Sequence, residues 1–138
     1  MPHLIIEHSA NVAAVAEISA LVDALHAATL ATGIALPDAL RTRAAARTEY
    51  AVGDRHPDNA FIAVTARLGP GRSDADKQAL INALMSAVEV TVGDAMNNMM
   101  LSVELQEIDP AMRLNHNHLR TRIDGRSHRP TNTDLTRG

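Results

Sequence analysis

The hydrophobic and polar positions alternate between two periods along this chain. Leu4 to Glu7 is a short apolar run that predicts a strand. After Ser9 and Asn11, two residues suited to cap a helix start, apolar positions recur at Val15, Ile18, Val22, Leu25 and Thr29, with Ala14, Leu21 and Ala28 alongside. That spacing marks one buried helical face. Gly33 is placed to end the helix, Pro37 and Asp38 to turn the chain, and Leu40 to Thr48 to form a second strand. A loop through Gly53, Asp54, Pro57 and Asp58 follows, and period-two alternation returns from Asn59 to Leu68. Gly69-Pro70-Gly71-Arg72-Ser73 predicts a tight turn, with Ser73 as cap to Asp76 of a second helix. That helix has apolar positions at Ile81, Leu84, Met85, Val88, Val92 and Met96, and Met99 to Ile108 reads as a fourth strand.

The order strand–helix–strand thus occurs twice, in halves of about 1–52 and 59–110. Each half predicts a right-handed β-α-β unit with parallel strands. Two such units form an α+β fold, a four-stranded sheet with both helices on one face. The opposite face is left without helices and calls for a partner copy.

Composition narrows the chemistry. The 138 residues are enough for one core-bearing domain, placed at 1–123. Residues 124–138, rich in Arg, Thr, Asn and Gly, read as a flexible tail. There is no cysteine, which removes disulfides and thiolate chemistry. Tyr50 and Phe61 are the whole aromatic complement, too few to stack bases, so nucleic acid is not an expected partner. The net charge is −3, but six arginines from Arg113 onward face only Asp124 and Asp134. No leader-like start and no run near the roughly 18 apolar residues of a membrane span is evident, so a cytoplasmic protein without a membrane partner is expected.

Several residues invite a chemical reading. Methionine before proline is readily trimmed, which would leave Pro2 as a secondary amine titrating at about pH 7.7–8.0 or lower near cations. Such an amine is a general base suited to neutral pH. His3 stands beside it, either orienting a substrate or sitting at a subunit contact. Arg41 and Arg43 share one face of a strand; Arg72 precedes a helix amino terminus, where an anion is favoured, or simply complements Asp74 and Asp76 at the turn. His116, His118 and His128 lack a nearby carboxylate cluster and read as solvated, so no metal site is expected. Tyr50 is a candidate pocket wall, and Met96, Met99, Met100 and Met112 read as core or interface packing.

Taken together, Pro2 with its apolar strand, Ala31-Thr32-Gly33-Ile34 leading to Leu40-Arg41-Thr42-Arg43, Ala60-Phe61, and Gly69-Pro70-Gly71-Arg72-Ser73 resemble the 5-carboxymethyl-2-hydroxymuconate Δ-isomerase family, within the tautomerase superfamily. The resemblance runs from Pro2 to about Leu119. It implies a homotrimer of chains with two β-α-β units each, and a cofactor-free isomerase of homoprotocatechuate breakdown. Its substrate would be a small unsaturated 2-hydroxy (or 2-oxo) acid with two or three carboxylates. Pro2 then matches the catalytic base, and Arg41 and Arg72 match the arginines that hold the anionic substrate. Ala44-Ala45-Ala46 stand where such chains carry aromatics, which implies a pocket with smaller walls. A reading from another class is a non-enzymatic oligomeric βαββαβ module that binds a small carboxylate.

Overall fold

The computed structural model describes residues 2–127. Four strands, β1 (His3–Ser9), β2 (Arg41–Arg47), β3 (Ala60–Leu68) and β4 (Met99–Glu107), form one sheet in the order β2-β1-β3-β4. β1 and β2 are parallel, β3 and β4 are parallel, and the two halves meet at an antiparallel β1–β3 pair. Helices α1 (Ile18–Thr32) and α2 (Asp74–Val92) pack on each other and on one face of the sheet. The fold is the expected α+β arrangement.

Alternation in the strands builds both faces. Leu4 and Ile6 of β1 and Ala60, Ile62, Val64, Ala66 and Leu68 of β3 are buried under the helices. Leu21, Leu25 and Thr29 of α1 meet them, as do Leu80, Leu84, Val88 and Val92 of α2. Both seams run at i, i+4 spacing, the stripe a helix presents to a layer beneath it. The second seam differs from the expected one: Leu80 is its first member, whereas Ile81 and Met85 are only partly buried. An alanine- and valine-rich helix is apolar around most of its circumference, so the sheet selects the stripe.

The start of α1 is also corrected. Ala10–Ala14 form a 3-10 turn and α1 begins at Ile18, leaving Val15 largely exposed. Ser9 and Asn11 cap nothing with their side chains. Ser9 Oγ instead accepts from the Phe61 N–H at 3.0 Å, and Asn11 Nδ2 donates to the Asn59 carbonyl at 2.8 Å. Both side chains tie the end of β1 to the start of β3. Gly33 ends α1 with φ of 76°, a conformation that favours glycine. Ser73 caps α2 as expected, accepting from the Asp76 N–H at 3.1 Å.

The helical run Asp74–Asn98, α2 with the 3-10 stretch that follows it, is long and apolar enough by length and composition to cross a membrane. No such segment is expected from the sequence. One stripe of it (Leu80, Leu84, Val88 and Val92) is buried against the sheet and α1.

Beyond β4, a short 3-10 turn (Pro110–Met112) leads to α3 (Arg120–Ser127). Residues 124–127, expected to begin a flexible tail, are helical; 128–138, including His128, lie outside the described residues. Asn117 Nδ2 donates to the Asp38 carbonyl at 2.6 Å and Arg120 Nε to Asp38 Oδ2 at 2.7 Å. These bonds fold the segment back over the loop that leads into β2.

Two substitutions test this packing. Leu84→Ala, at a fully buried position, is expected to cost about 2–5 kcal/mol in urea unfolding. Ser73→Ala is expected to cost about 1 kcal/mol by loss of the cap.

Candidate active site

The face of the sheet without helices carries the odd positions of β1. Register places Arg41, His3, Arg67 and Gln106 in one row, and Arg43, Ile5, Thr65 and Glu104 in the next. The face is therefore mixed, with Ile5, Ala45, Ala63, Phe61 and Met100 as its apolar share. Arginines gather at one end, the end where β1 and β2 begin and β3 and β4 finish.

His3 lies inside this cluster. Arg41 Nη1 approaches its Nε2 at 3.0 Å and Arg43 Nη1 its Nδ1 at 3.1 Å. A neutral imidazole has one acceptor nitrogen, so only one guanidinium can donate into the ring and the other faces an N–H. Burial first, and then Arg41, Arg43 and Arg67, lower the His3 pKa to about 4. Arg41, Arg43 and Arg67 have no ion-pair partner among the described residues, whereas Arg47 pairs with Glu7 at 2.8 Å. Like charges held together without a counter-ion raise the local positive potential.

Pro2 is buried at the head of β1, and its carbonyl accepts from the Arg41 N–H at 3.3 Å. Two of the three residues named from sequence are thus joined through the backbone. The Arg41 guanidinium itself extends over the open face to His3. Arg72 is held differently. Its Nη1 donates to the Gly69 carbonyl and its Nη2 to the Ile34 carbonyl, both at 3.0 Å. It makes no ion pair with Asp74 or Asp76, and it pins the turn after β3 to the connection after α1.

Two cavities flank this end of the sheet. One of about 320 Å³ is lined by Arg41, Asp38, His116, Asn117 and His118. His116 and His118 meet edge to face at 6.3 Å, and among the described residues no group of three or more His, Asp or Glu could hold a metal. The other, of about 540 Å³, is lined by His3, Arg67, Gln106, Glu107, Arg113 and Asn115, among others. A third cavity, of about 370 Å³ near Asn11, Asp58 and Met99, lies at the opposite sheet end and has no cationic wall. Tyr50 is also remote from Pro2: it packs on Phe61 at 6.4 Å, at the far end of β3. Met96 and Met99 pack on the core, while Met100 and Met112 are exposed.

Residues 113–118 were read as the beginning of a basic segment with His116 and His118 solvated, and their place along these two cavities was missed. Their one signal was Asn115, His116, Asn117 and His118, a polar stretch following directly on a strand-closing Asp109-Pro110.

Paired β-α-β units on a four-stranded sheet, with a proline heading the first strand beside clustered arginines, define a tautomerase-fold protein. Solved structures agree: a 5-carboxymethyl-2-hydroxymuconate isomerase from Deinococcus radiodurans R1 superposes with a TM-score of 0.81 at 28% identity, over 88% of this chain and 93% of that one. A fused 4-OT wild-type symmetric trimer shares the fold, with a TM-score of 0.62 at 24% identity over 83% and 92%. The 5-carboxymethyl-2-hydroxymuconate Delta-isomerase of Escherichia coli is 26% identical over 121 residues, 86% of this chain and 96% of its own length. Residues 2–123 match the family described as 5-carboxymethyl-2-hydroxymuconate isomerase, and the chain belongs to that family. It is an isomerase, and the binding-module reading is not favoured.

The lowered His3 pKa has a measurable sign. Between about pH 6.5 and 4 the unfolded chain binds the proton and the folded chain does not, so this residue's contribution is full above that window and is lost as pH falls through it. Proton NMR should find the His3 ring titrating near pH 4, and a midpoint near that of a free histidine would contradict the clustered geometry.

Proposed function

We propose that this isomerase moves a proton within an unsaturated 2-hydroxy or 2-oxo acid of the 5-carboxymethyl-2-hydroxymuconate type, with Pro2 as the base that becomes the acid. One observation carries the reading: Pro2 heads the strand whose next residue, His3, stands among three guanidiniums that lack ion-pair partners among the described residues. Removal of Met1 leaves a secondary amine there, and the surrounding positive charge favours its neutral form.

In the proposed cycle the Pro2 nitrogen takes the proton of the 2-hydroxyl group. The freed electron pair forms the 2-oxo carbonyl, and the π electrons it displaces shift along the conjugated chain to a distal carbon. That carbon takes a proton back from the prolinium, which restores the amine. Atoms and charge balance without a cofactor, because conjugation in the substrate carries the charge. Arg41 holds the carboxylate next to the reacting oxygen, where a planar fork fits it and offsets the negative charge that grows there. Arg72 contributes through N–H groups not engaged by Gly69 and Ile34.

A homotrimer is part of the same proposal. The helix-free sheet face supports it, and so does the trimeric assembly of a 4-OT relative sharing the fold. The cytoplasm is the proposed compartment.

Mass spectrometry of the purified protein is expected to show loss of Met1; retention throughout would leave Pro2 as an amide without basicity and end the mechanism. In a spectrophotometric assay on 2-hydroxymuconate-type acids, Pro2→Ala should lose about 10²–10⁴-fold in turnover, the usual share of general acid–base catalysis. Arg41→Ala should mainly raise KM. Unchanged rates in both variants would remove the assignment. Sedimentation should report three chains per particle, and a stable monomer would contradict the assembly.

A further inference from the structure

The cavity of about 320 Å³ beside Arg41 has two walls of different origin. Residues 37–41, the turn into β2, form one, and residues 116–119, from the segment after β4, form the other. Only the first leads directly into the sheet. The second reaches the cavity by crossing back over the turn.

Asp38 is where the walls join. Its carbonyl accepts from Asn117 Nδ2 at 2.6 Å, and its Oδ2 accepts from Arg120 Nε at 2.7 Å. The crossing segment is bent to suit, since Asn117 Oδ1 accepts from the Leu119 N–H at 3.0 Å. The turn is braced on its own side. The Ala39 and Leu40 N–H groups donate to the Leu36 carbonyl at 3.0 and 3.1 Å, and the Arg41 N–H donates to the Pro2 carbonyl. A pull on Asp38 is thereby passed to Arg41, three residues on.

The Asp38 carboxylate is otherwise ill suited to its place. Its side chain is 11% exposed, and its Oδ1 is buried with no hydrogen-bond partner among the described residues. A buried charged acceptor left unpaired is costly. The carboxylate also stands in the wall of a cavity whose Arg41 is proposed to hold an anion, which it repels. Electrostatics alone would favour a neutral residue here. The bond to Arg120 is the gain visible in the fold. Arg120 does not itself line the cavity, so a contact with a bound acid is not its role there.

We infer that Asp38 is a positioning residue, which latches residues 116–119 onto the turn as the closing wall of the Arg41 cavity, so that release of Arg120 opens the cavity and loosens the hold of Arg41 on an acid. This inference rests on the proposed carboxylate-binding role of Arg41 and adds no group to proton transfer. A closed wall keeps water from the guanidinium, and a charge-assisted bond is stronger where water is excluded. An open wall lowers the fraction of molecules competent to bind, and the apparent affinity falls with that fraction.

The test combines steady-state kinetics on 2-hydroxymuconate with calorimetric titration of 2-oxoadipate, which has the 2-oxo acid group but no conjugated double bonds. Arg120→Gln should raise KM and weaken 2-oxoadipate binding, each by about threefold or more, with kcat kept. Arg120→Lys keeps a charge within reach of Asp38 and should recover part of the loss. Arg122→Gln removes the same charge from the same helix, leaves the latch in place and should change neither value. Asp38→Ala gives the sign: removal of a negative charge tightens anion binding if charge alone matters, and weakens it if the latch does. Hydrogen exchange across residues 113–123 should be faster in Arg120→Gln, with β1 and β3 exchanging as in wild type. Unchanged exchange in Arg120→Gln, an equal effect of Arg122→Gln, tighter binding by Asp38→Ala or absence of 2-oxoadipate binding to wild type overturns the latch. If Asp38→Ala does not fold, the exposed Arg120 variants decide. Turnover that depends on Pro2 while Arg120→Gln keeps the wild-type KM removes the latch alone. Arg120-dependent binding of 2-oxoadipate by a wild type that cannot isomerise 2-hydroxymuconate removes the proposed reaction alone.

Discussion

The constraint beneath this structure is the two-residue period of its central strands. β1 and β3 run antiparallel through the middle of the sheet, and each sends alternate side chains to opposite sides. One parity (Leu4, Ile6, Ile62, Val64, Ala66, Leu68) supplies the layer on which both helices pack. The other parity, beginning with His3 and ending with Arg67, supplies the cationic row. Core and candidate site are therefore consequences of the same register. A slip of one residue would send charges into the core and the apolar set to the open face.

The cationic row would be unfavourable by itself. Guanidiniums brought side by side repel, and His3 can accept from only one of its two arginine neighbours. Strand pairing and the buried layer beneath hold the cluster together despite this. An anionic ligand would relieve the repulsion, so the strain left in the free protein is available as binding energy.

Much of this was legible in the sequence, for physical reasons that differ by element. β3 alternates without interruption, and Ser73 with Asp76 is a local signal that the fold keeps. β2 and the end of α1 were read at nearly correct positions, but the start of α1 was not, because Ser9 and Asn11 had the chemistry of helix caps and were used to join β1 to β3. Their partners are remote in sequence, so no window around them shows the difference. The buried stripe of α2 shifted to include Leu80 because several stripes on that helix are apolar. Pro2, Arg41 and Arg72 were named through the family resemblance. The placement of residues 113–118 was not legible, since it depends on contacts remote in sequence such as that of Asn117 with Asp38.

The outer strands of the sheet carry a further consequence. β2 borders the sheet on one side, with an unpaired rim of backbone groups that could template another chain. Three of its seven residues are Arg41, Arg43 and Arg47, and the rest are alanine and threonine. Charge on a rim strand discourages edge-to-edge zipping of stray copies, so these arginines act as gatekeepers against aggregation while two of them surround His3. A lineage that exchanged them for neutral residues to suit a different acid would also have to protect that rim by other means.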